Sequence, residues 1–222
     1  MATNHEVKSL TATTWPAFAA LMDRHHGVWG GCWCMGYHPE SFQGSREGNR
    51  AAKERRVRAG AAHAALVFDG PNCLGWCQYG RHDELRLFRY QKDCANEFAA
   101  LPEWLITCFF VGRRFRGHDG AAAALAGALG ATTRDRGGRV EAYPEAFNGR
   151  EVSTSLPFMA GGPIARFERH GFSACARWGS TVGGREGGSP RRLTATRPYD
   201  QELDNSCGRG ATPGRVLSHA VR

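Results

Sequence analysis

The sequence predicts an α/β (α+β) protein, in which strands and helices are mixed along the chain, and three segments carry that prediction. Residues 104–111 form an almost wholly apolar run of the kind found in strands that are buried on both faces. Residues 121–136 are rich in Ala and Leu and predict a helix. Two short apolar runs, 64–68 and 73–79, flank the turn Asp69-Gly-Pro-Asn72 and predict a hairpin.

Shorter signals predict the remaining elements and the extent of the domain. An opening strand is expected at 5–10, helices at 14–24, 47–59 and 163–170, and strands at 139–143 and 172–178. We therefore expect one domain over residues 1–179. Residues 180–222 are rich in Gly, Arg, Ser and Pro, so we expect a flexible tail there, with residues 193–196 as a weak edge strand.

The composition is typical of a cytoplasmic protein with no membrane partner. Hydrophobic residues make up 41% of the 222 residues, but no run approaches the roughly 18 apolar residues that cross a bilayer. The first residues also lack the apolar run of a secretory signal. The eight cysteines are scattered along a chain too long to need disulfides, so we expect reduced thiols.

The formal net charge of +8 bears on the class of partner. An excess of Arg suits the binding of phosphates, whether these belong to a cofactor or to nucleic acid. A solvated basic surface explains the charge equally well, and no recognised nucleic-acid-binding motif is present. A nucleic-acid partner is therefore an open alternative that the sequence does not favour.

One strand–helix junction combines features that bind phosphate. The apolar strand leads into the basic turn Gly112-Arg-Arg-Phe-Arg-Gly-His-Asp-Gly120, and the Ala-rich helix follows. The start of a helix leaves about four N–H groups without partners and carries about half a positive charge. Gly lets a ligand approach these groups, and Arg113, Arg114 and Arg116 add charged donors. The junction therefore predicts a phosphate-bearing ligand.

Residues 111–125, which contain this junction, resemble the pyrophosphate-binding loop of the GNAT acetyltransferases. The pattern of that loop is Q/R-x-x-G-x-G/A, between a strand and a helix. A second segment, Phe167-Glu-Arg-His-Gly-Phe172, is similar to the aromatic-x-x-x-Gly-Phe element of the same family. The two motifs occur in the order and at the spacing of the family, and the resemblance covers about residues 11–178.

The resemblance implies a mixed, mostly antiparallel sheet that is flanked by helices and splayed at the fourth strand. Acyl-CoA, with acetyl-CoA expected, would bind in the splay and pass its acyl group directly to an amine of a small molecule or protein. No metal is implied. The pantetheine would follow the backbone of Phe109, Phe110 and Val111, with an N–H near Val111 facing the oxyanion. The pyrophosphate would rest on Arg116, Gly117, His118, Gly120 and Ala121.

Three positions depart from the family pattern. Asp119 stands where the pattern has its first Gly, so a carboxylate that is expected to cap the helix lies within the phosphate site. Phe167 belongs to the cofactor site but replaces the Tyr that protonates the leaving thiolate. The Asn often found before that helix is replaced by Ala160 or Gly161.

Three residues are candidates for proton transfer. Glu141, on the fifth strand, is our first choice for a general base acting through water, and a solvent-facing strand carboxylate is the alternative. Glu103, just before the fourth strand, is the second choice, and a solvated loop residue is its alternative. Tyr143 could replace the missing acid, although a half-buried strand aromatic is the commoner role.

An aromatic loop after the first helix is expected to form the wall that binds the acceptor. Its candidate residues are His25, His26, Trp29, Trp33 and Tyr37, because pockets are mostly apolar with aromatic walls. Histidines that interact with a helix end, and aromatic side chains that pack the core, explain the same residues.

The remaining reactive side chains predict neither a metal site nor a nucleophile. Cys32, Cys34 and His38 have a C-x-C spacing without a second matching pair. Cys108, within the fourth strand, is expected to be a buried core thiol, because transfer in the GNAT family is direct and no paired base is evident.

Two alternatives to an amine acetyltransferase stay open at this point. The basic charge and the Arg-rich tail motivate a tRNA- or RNA-related transferase of the same fold. Asp119 and Phe167 motivate a degenerate CoA-binding module without catalysis. The sequence leaves open the identity of the acceptor and whether the chain forms a homodimer.

Overall fold

The computed structural model of the protein describes residues 5–28, 30–86, 101–116, 119–142, 164–177 and 191–197. The strands are β1 (Glu6–Ser9), β2 (His63–Asp69), β3 (Asn72–Arg81), β4 (Trp104–Val111), β5 (Gly138–Ala142), β6 (Ser173–Arg177) and β7 (Arg191–Arg197). The helices are α1 (Trp15–Arg24), α2 (Arg46–Arg58), α3 (Gly120–Arg134) and α4 (Ile164–Glu168), with 3-10 turns at Met35–Tyr37 and Arg113–Phe115. Across these ranges, no helix combines the length and apolarity that spanning a membrane requires.

The seven described strands form one sheet in the order β1-β2-β3-β4-β5-β7-β6. Neighbouring strands are antiparallel except for β4 and β5, which are parallel. The predicted α/β fold, with a mixed and mostly antiparallel sheet flanked by helices, is thereby confirmed.

The helices cover the sheet on both faces, and each face has its own apolar core. One cluster joins α1 and the 35–37 turn to the sheet, and the other joins α3 and α4 to it. Consecutive β3 residues enter different clusters, Trp76 the first and Cys77 the second, because side chains alternate along a strand. Burial on both faces explains why β4 reads as a continuous apolar run.

Strand β4 runs on beyond its described pairs with β5, at the place where the resemblance implied a splay, and we call this edge of β4 the opening. Residues 104–106 of β4 pair with residues 140–142 of β5, and these are the pairs that join the two strands within the described residues. On its other edge β4 stays paired with β3 as far as Val111. A register shift between Gln78 and Tyr79 leaves Thr107 as an extra residue in β4, at the point where the opening begins.

Strand β7 corrects the expected end of the domain. It lies between β5 and β6 and pairs with both, so residues 193–196 belong to an interior strand and the expected edge position is wrong. Ala195 is 6% exposed and packs in the core beneath α3. A boundary after residue 179 would remove this strand, so the sheet extends to Arg197. The rest of the expected tail, 180–190 and 198–222, lies outside the described residues.

Candidate functional site

The opening between β4 and β5 is bordered by Phe109, Phe110 and Val111. Phe109 packs into the core beneath α3 and Phe110 into the core beneath α1, so their side chains lie on opposite faces of the sheet. A ligand in the opening would therefore meet backbone N–H and C=O groups along the strand edge. This is the geometry that the pantetheine prediction requires.

The turn after β4 holds a cationic side chain at the end of the opening. Arg116 donates a hydrogen bond from Nε to the Val111 carbonyl at 3.2 Å, which keeps its guanidinium beside the strand end. Helix α3 begins at Gly120, so its first N–H groups lie at the same end of β4. Gly117 and His118 lie outside the described residues, and their contact with a pyrophosphate stays a prediction.

Asp119 occupies a glycine-like backbone conformation just before α3. Its φ is +54°, in the left-handed region where Gly is favoured, which gives a physical reason for the Gly of the loop pattern at this position. Its side chain makes no capping hydrogen bond, so the expected cap is wrong. The carboxylate instead interacts electrostatically with the half-buried Arg166 of α4. Burial lowers the pKa of Arg166, and the attraction to Asp119 acts in the opposite direction.

Replacing Asp119 is expected to strengthen the binding of CoA. Asp119→Gly should change the free energy of unfolding by less than about 1 kcal/mol, because the ease with which Gly adopts positive φ offsets its larger entropy loss. Removing the carboxylate from the phosphate site, and freeing Arg166, should tighten CoA binding by about tenfold at low salt. Titration calorimetry at two salt concentrations measures this effect.

Asp119→Asn is the matched control for charge, because Asn tolerates the same backbone conformation. Both variants should bind CoA more tightly, and the gain should shrink as salt is raised. Unchanged affinity in both variants would show that the carboxylate points away from the phosphates.

Phe167 is part of the core on the α3 side of the opening. Its side chain is fully buried and lies edge-on to Phe109, with the ring centroids 5.9 Å apart, and to Phe172 at 5.1 Å. Because the ring is enclosed by apolar neighbours, it fills space beside the cofactor strand and offers no proton.

Glu141 lies at the start of the opening, on the face covered by α1 and α2. It pairs with Leu105 in the register of the sheet, and its neighbours Val140 and Ala142 both pack on the opposite, α3 face. The Glu141 side chain is fully buried, and its Oε1 lies 3.3 Å from Nε of Arg139. The Arg139 contact holds the Glu141 carboxylate in place at the start of the opening.

Glu103 has different surroundings from Glu141. Glu103 accepts a hydrogen bond from the Arg139 backbone N–H at 2.7 Å, at the end of β4 away from the opening. It also fills the space beside Gly138, where an added methyl group would lie 2.9 Å from its side chain. These contacts give Glu103 a role in holding β5 to β4. Tyr143 lies outside the described residues.

Comparisons with known proteins identify the fold. No protein-family model and no curated protein matches the sequence. A ribosomal-protein-alanine N-acetyltransferase from Brucella melitensis matches in structure with a TM-score of 0.52 and 17% identity, over 86% of this chain and 99% of that one. A GNAT-family acetyltransferase from Streptococcus pneumoniae gives a TM-score of 0.50 and 9% identity, over 87% and 100%. The chain has the GNAT acetyltransferase fold.

A third similar structure is that of a putative acetyltransferase with its own cofactor bound. The Salmonella typhimurium protein yncA, solved with its cofactor acetyl-CoA, matches with a TM-score of 0.54 and 12% identity, over 90% of this chain and 98% of that one.

The two histidines expected in the acceptor wall occupy different surroundings at the end of α1. The ring of His25 lies edge-on to Phe110 with the centroids 4.8 Å apart, so His25 is beside the cofactor strand. Burial, followed by the charges of Arg24 and Arg116, lowers the pKa of His25. His26 is exposed and has a positive φ of +53°.

The aromatic candidates for the acceptor wall also differ in burial. Trp33 is fully buried and packs against Trp15 and Phe18, with ring centroids 5.8 and 6.3 Å away, so the core-packing alternative accounts for it. Tyr37 is partly buried at the edge of the same cluster, where one side of its ring can face a ligand. Trp29 lies outside the described residues.

A buried polar network beside the opening was missed by the sequence analysis. Lys53 of α2 is 1% exposed, and its ammonium donates to Gln78 Oε1 at 2.7 Å and lies 2.9 Å from His38 Nε2. Gln78 in turn donates to Thr107 Oγ1 at 3.1 Å, which ties the network to the extra residue of β4. Burial lowers the pKa of Lys53. No local signal in the sequence marks Lys53 as buried, because Lys is rarely enclosed.

Free thiols lie next to this network. Cys34 is buried and its pKa is raised mainly by that burial, whereas a hydrogen bond with Cys34 lowers the pKa of Cys32. Cys108 is also buried and free. Within the described ranges, no group of three or more His, Cys, Asp or Glu side chains is placed to hold a metal ion.

Proposed function

We propose that the protein is an acyl-CoA-dependent N-acetyltransferase that holds its cofactor in the opening between β4 and β5. The observation that carries the proposal is that β4 runs on beyond Ile106, the last β4 residue in its described pairing with β5, and leads directly to a basic turn and the start of α3. The same place therefore offers pantetheine a strand edge that has no partner among the described residues beyond Ile106, and offers pyrophosphate the helix N–H groups and Arg116. The match to the acetyl-CoA complex of yncA supports this assignment.

The reaction that fits this site is direct transfer. The nitrogen of an amine attacks the thioester carbonyl, a backbone N–H of β4 near Val111 stabilises the oxyanion, and the carbon–sulfur bond then breaks. Glu141 accepts the proton of the amine, through a water molecule, on the α1/α2 face of the opening. Because Phe167 cannot donate a proton, the thiolate leaves unassisted, which a thiol with a pKa near 8.5 permits at neutral pH.

The acceptor enters from the face that is covered by the α1–α2 connection. Tyr37 and His26 are accessible there and are candidate contacts, together with Trp29. A small-molecule amine and a protein amine both suit such a wall.

Acetyl-CoA is expected to stabilise the folded protein. At a hundred times its dissociation constant, a ligand that binds only the folded state adds about 2.7 kcal/mol to the free energy of unfolding. For a chain of this size, that corresponds to a rise in melting temperature of about 5–10 °C. Differential scanning fluorimetry with acetyl-CoA measures the shift, and ATP controls for non-specific binding of a nucleotide polyphosphate.

The release of free thiol separates an enzyme from a binding module. With acetyl-CoA and a panel of small amines and peptides, at least one acceptor should produce CoA thiol and an N-acetylated product. Stabilisation by acetyl-CoA without thiol release from any acceptor would favour the degenerate CoA-binding module. An unchanged melting temperature at millimolar acetyl-CoA would contradict the proposal as a whole.

A further inference from the structure

Cationic groups from two parts of the chain meet at the end of β4. Arg24 of α1 reaches the Cys73 carbonyl at 3.5 Å, at the start of the neighbouring strand β3. Arg116 lies on the turn after β4 and donates to the Val111 carbonyl. His25 interacts electrostatically with both guanidinium groups.

The ring of His25 faces the backbone where β4 ends. A methyl group added to Gly112 would lie 3.8 Å from Nε2 of His25, and the ring rests on Phe110 at a centroid distance of 4.8 Å. His25 therefore borders the segment that runs from the pantetheine strand to the phosphate-binding turn. Its partly buried position limits the access of water to the ring.

We propose that His25 belongs to the phosphate site of the cofactor and takes up a proton from solvent when acyl-CoA binds, so that cofactor affinity falls as pH rises. The inference rests on the proposed function, because it places the cofactor phosphates beside Arg116. No bond of the cofactor changes in this step, and one proton moves from solvent to the imidazole ring.

In the free protein, the surroundings of His25 disfavour the protonated ring. Burial has the largest effect on the pKa of His25 and lowers it. The charges of Arg24, Arg116 and His26 lower it further, so the pKa lies below its ordinary value. The ring is therefore neutral at pH 7 in the free protein. A bound phosphate supplies negative charge beside the ring and offsets the two guanidinium groups, which raises the pKa of His25 in the complex.

The sign of the pH dependence follows from that difference. Between the lower pKa of the free protein and the higher pKa of the complex, binding is accompanied by proton uptake. Affinity is greatest below both values and falls as pH rises through the pKa of the complex. A single titrating group limits the change in Kd to about tenfold per pH unit.

Titration calorimetry with acetyl-CoA, in two buffers of different ionisation enthalpy, counts the protons taken up on binding. The comparison is between the unaltered protein, His25→Asn, and His5→Asn as a control next to the edge strand β1. The 3′-phosphate of the ligand also titrates near pH 6, but it does so in all three proteins. Near pH 6.5 the unaltered protein and His5→Asn should take up about 0.3–0.8 proton more per acetyl-CoA than His25→Asn.

A second measurement does not depend on any variant. Nuclear magnetic resonance of the His25 ring, with and without acetyl-CoA, should show a higher pKa in the complex. Binding with the same proton uptake in the unaltered protein and His25→Asn, or an unshifted His25 ring, would overturn this inference and leave the proposed function standing. Failure of the unaltered protein to bind acetyl-CoA would overturn both.

Discussion

A chain that ends at residue 190, and so lacks β7, is expected to be unfolded or to melt more than about 10 °C below the full protein. β7 pairs with five residues of β5 and four residues of β6, so its loss exposes the backbone of both neighbours. At about 0.5–1.5 kcal/mol for each backbone hydrogen bond, the cost is about 5 kcal/mol or more. That is comparable to the whole stability of many domains.

Two further variants show whether the strand itself is responsible. A chain that ends at residue 200 keeps β7 and should melt well above the chain that ends at residue 190. In the full-length protein, Thr194→Pro should be strongly destabilising, because Thr194 pairs with Glu141 on one side and Ser173 on the other. Equal melting temperatures for the two shortened chains would mean that β7 does not hold the sheet together.

Glu141→Gln is expected to lower the turnover number by about a hundredfold, once an acceptor has been identified. The substitution keeps the shape of the side chain in a fully buried position and removes its ability to accept the proton of the amine. The Kd for acetyl-CoA should stay within about twofold, because Glu141 contributes to the proton transfer rather than to the phosphate site. Steady-state rates and titration calorimetry separate the two effects.

Glu103→Gln provides the comparison between the two carboxylates. Because the Gln side chain keeps an oxygen that can accept from the Arg139 N–H at the closed end of β4, Glu103→Gln should change both the melting temperature and the turnover number little. If Glu103→Gln abolished turnover and Glu141→Gln did not, the roles would be reversed, and the base would have to act from the closed end of the strand pair.

The parts of the fold that sequence predicts well are those with strong local signals. β4 was predicted with its observed bounds, because its apolar run ends directly before Gly112 and the basic residues that follow. α3 follows from its Ala and Leu content, and the β2–β3 hairpin from its turn. In each case the residues that decide the structure are neighbours along the chain.

The parts that sequence missed depend on contacts between distant segments. β7 is rich in Arg and Thr and reads as an edge strand, whereas its interior place is decided by pairing with β5 and β6. The burial of Lys53 depends on Gln78 and His38, which lie far from it in the sequence. Asp119 was expected to cap α3, but its side chain makes no capping hydrogen bond. Its left-handed backbone conformation could not be predicted from the sequence of the turn.

The central claim is that acyl-CoA binds between β4 and β5, and a crystal structure of the protein with acetyl-CoA tests it most directly. The account predicts pantetheine hydrogen-bonded to the backbone of residues 109–111, the pyrophosphate on the first N–H groups of α3 beside Arg116 and His25, and the thioester within reach of Glu141 through one water molecule. Acetyl-CoA bound elsewhere on the protein, or an opening that closes against it, would contradict the account.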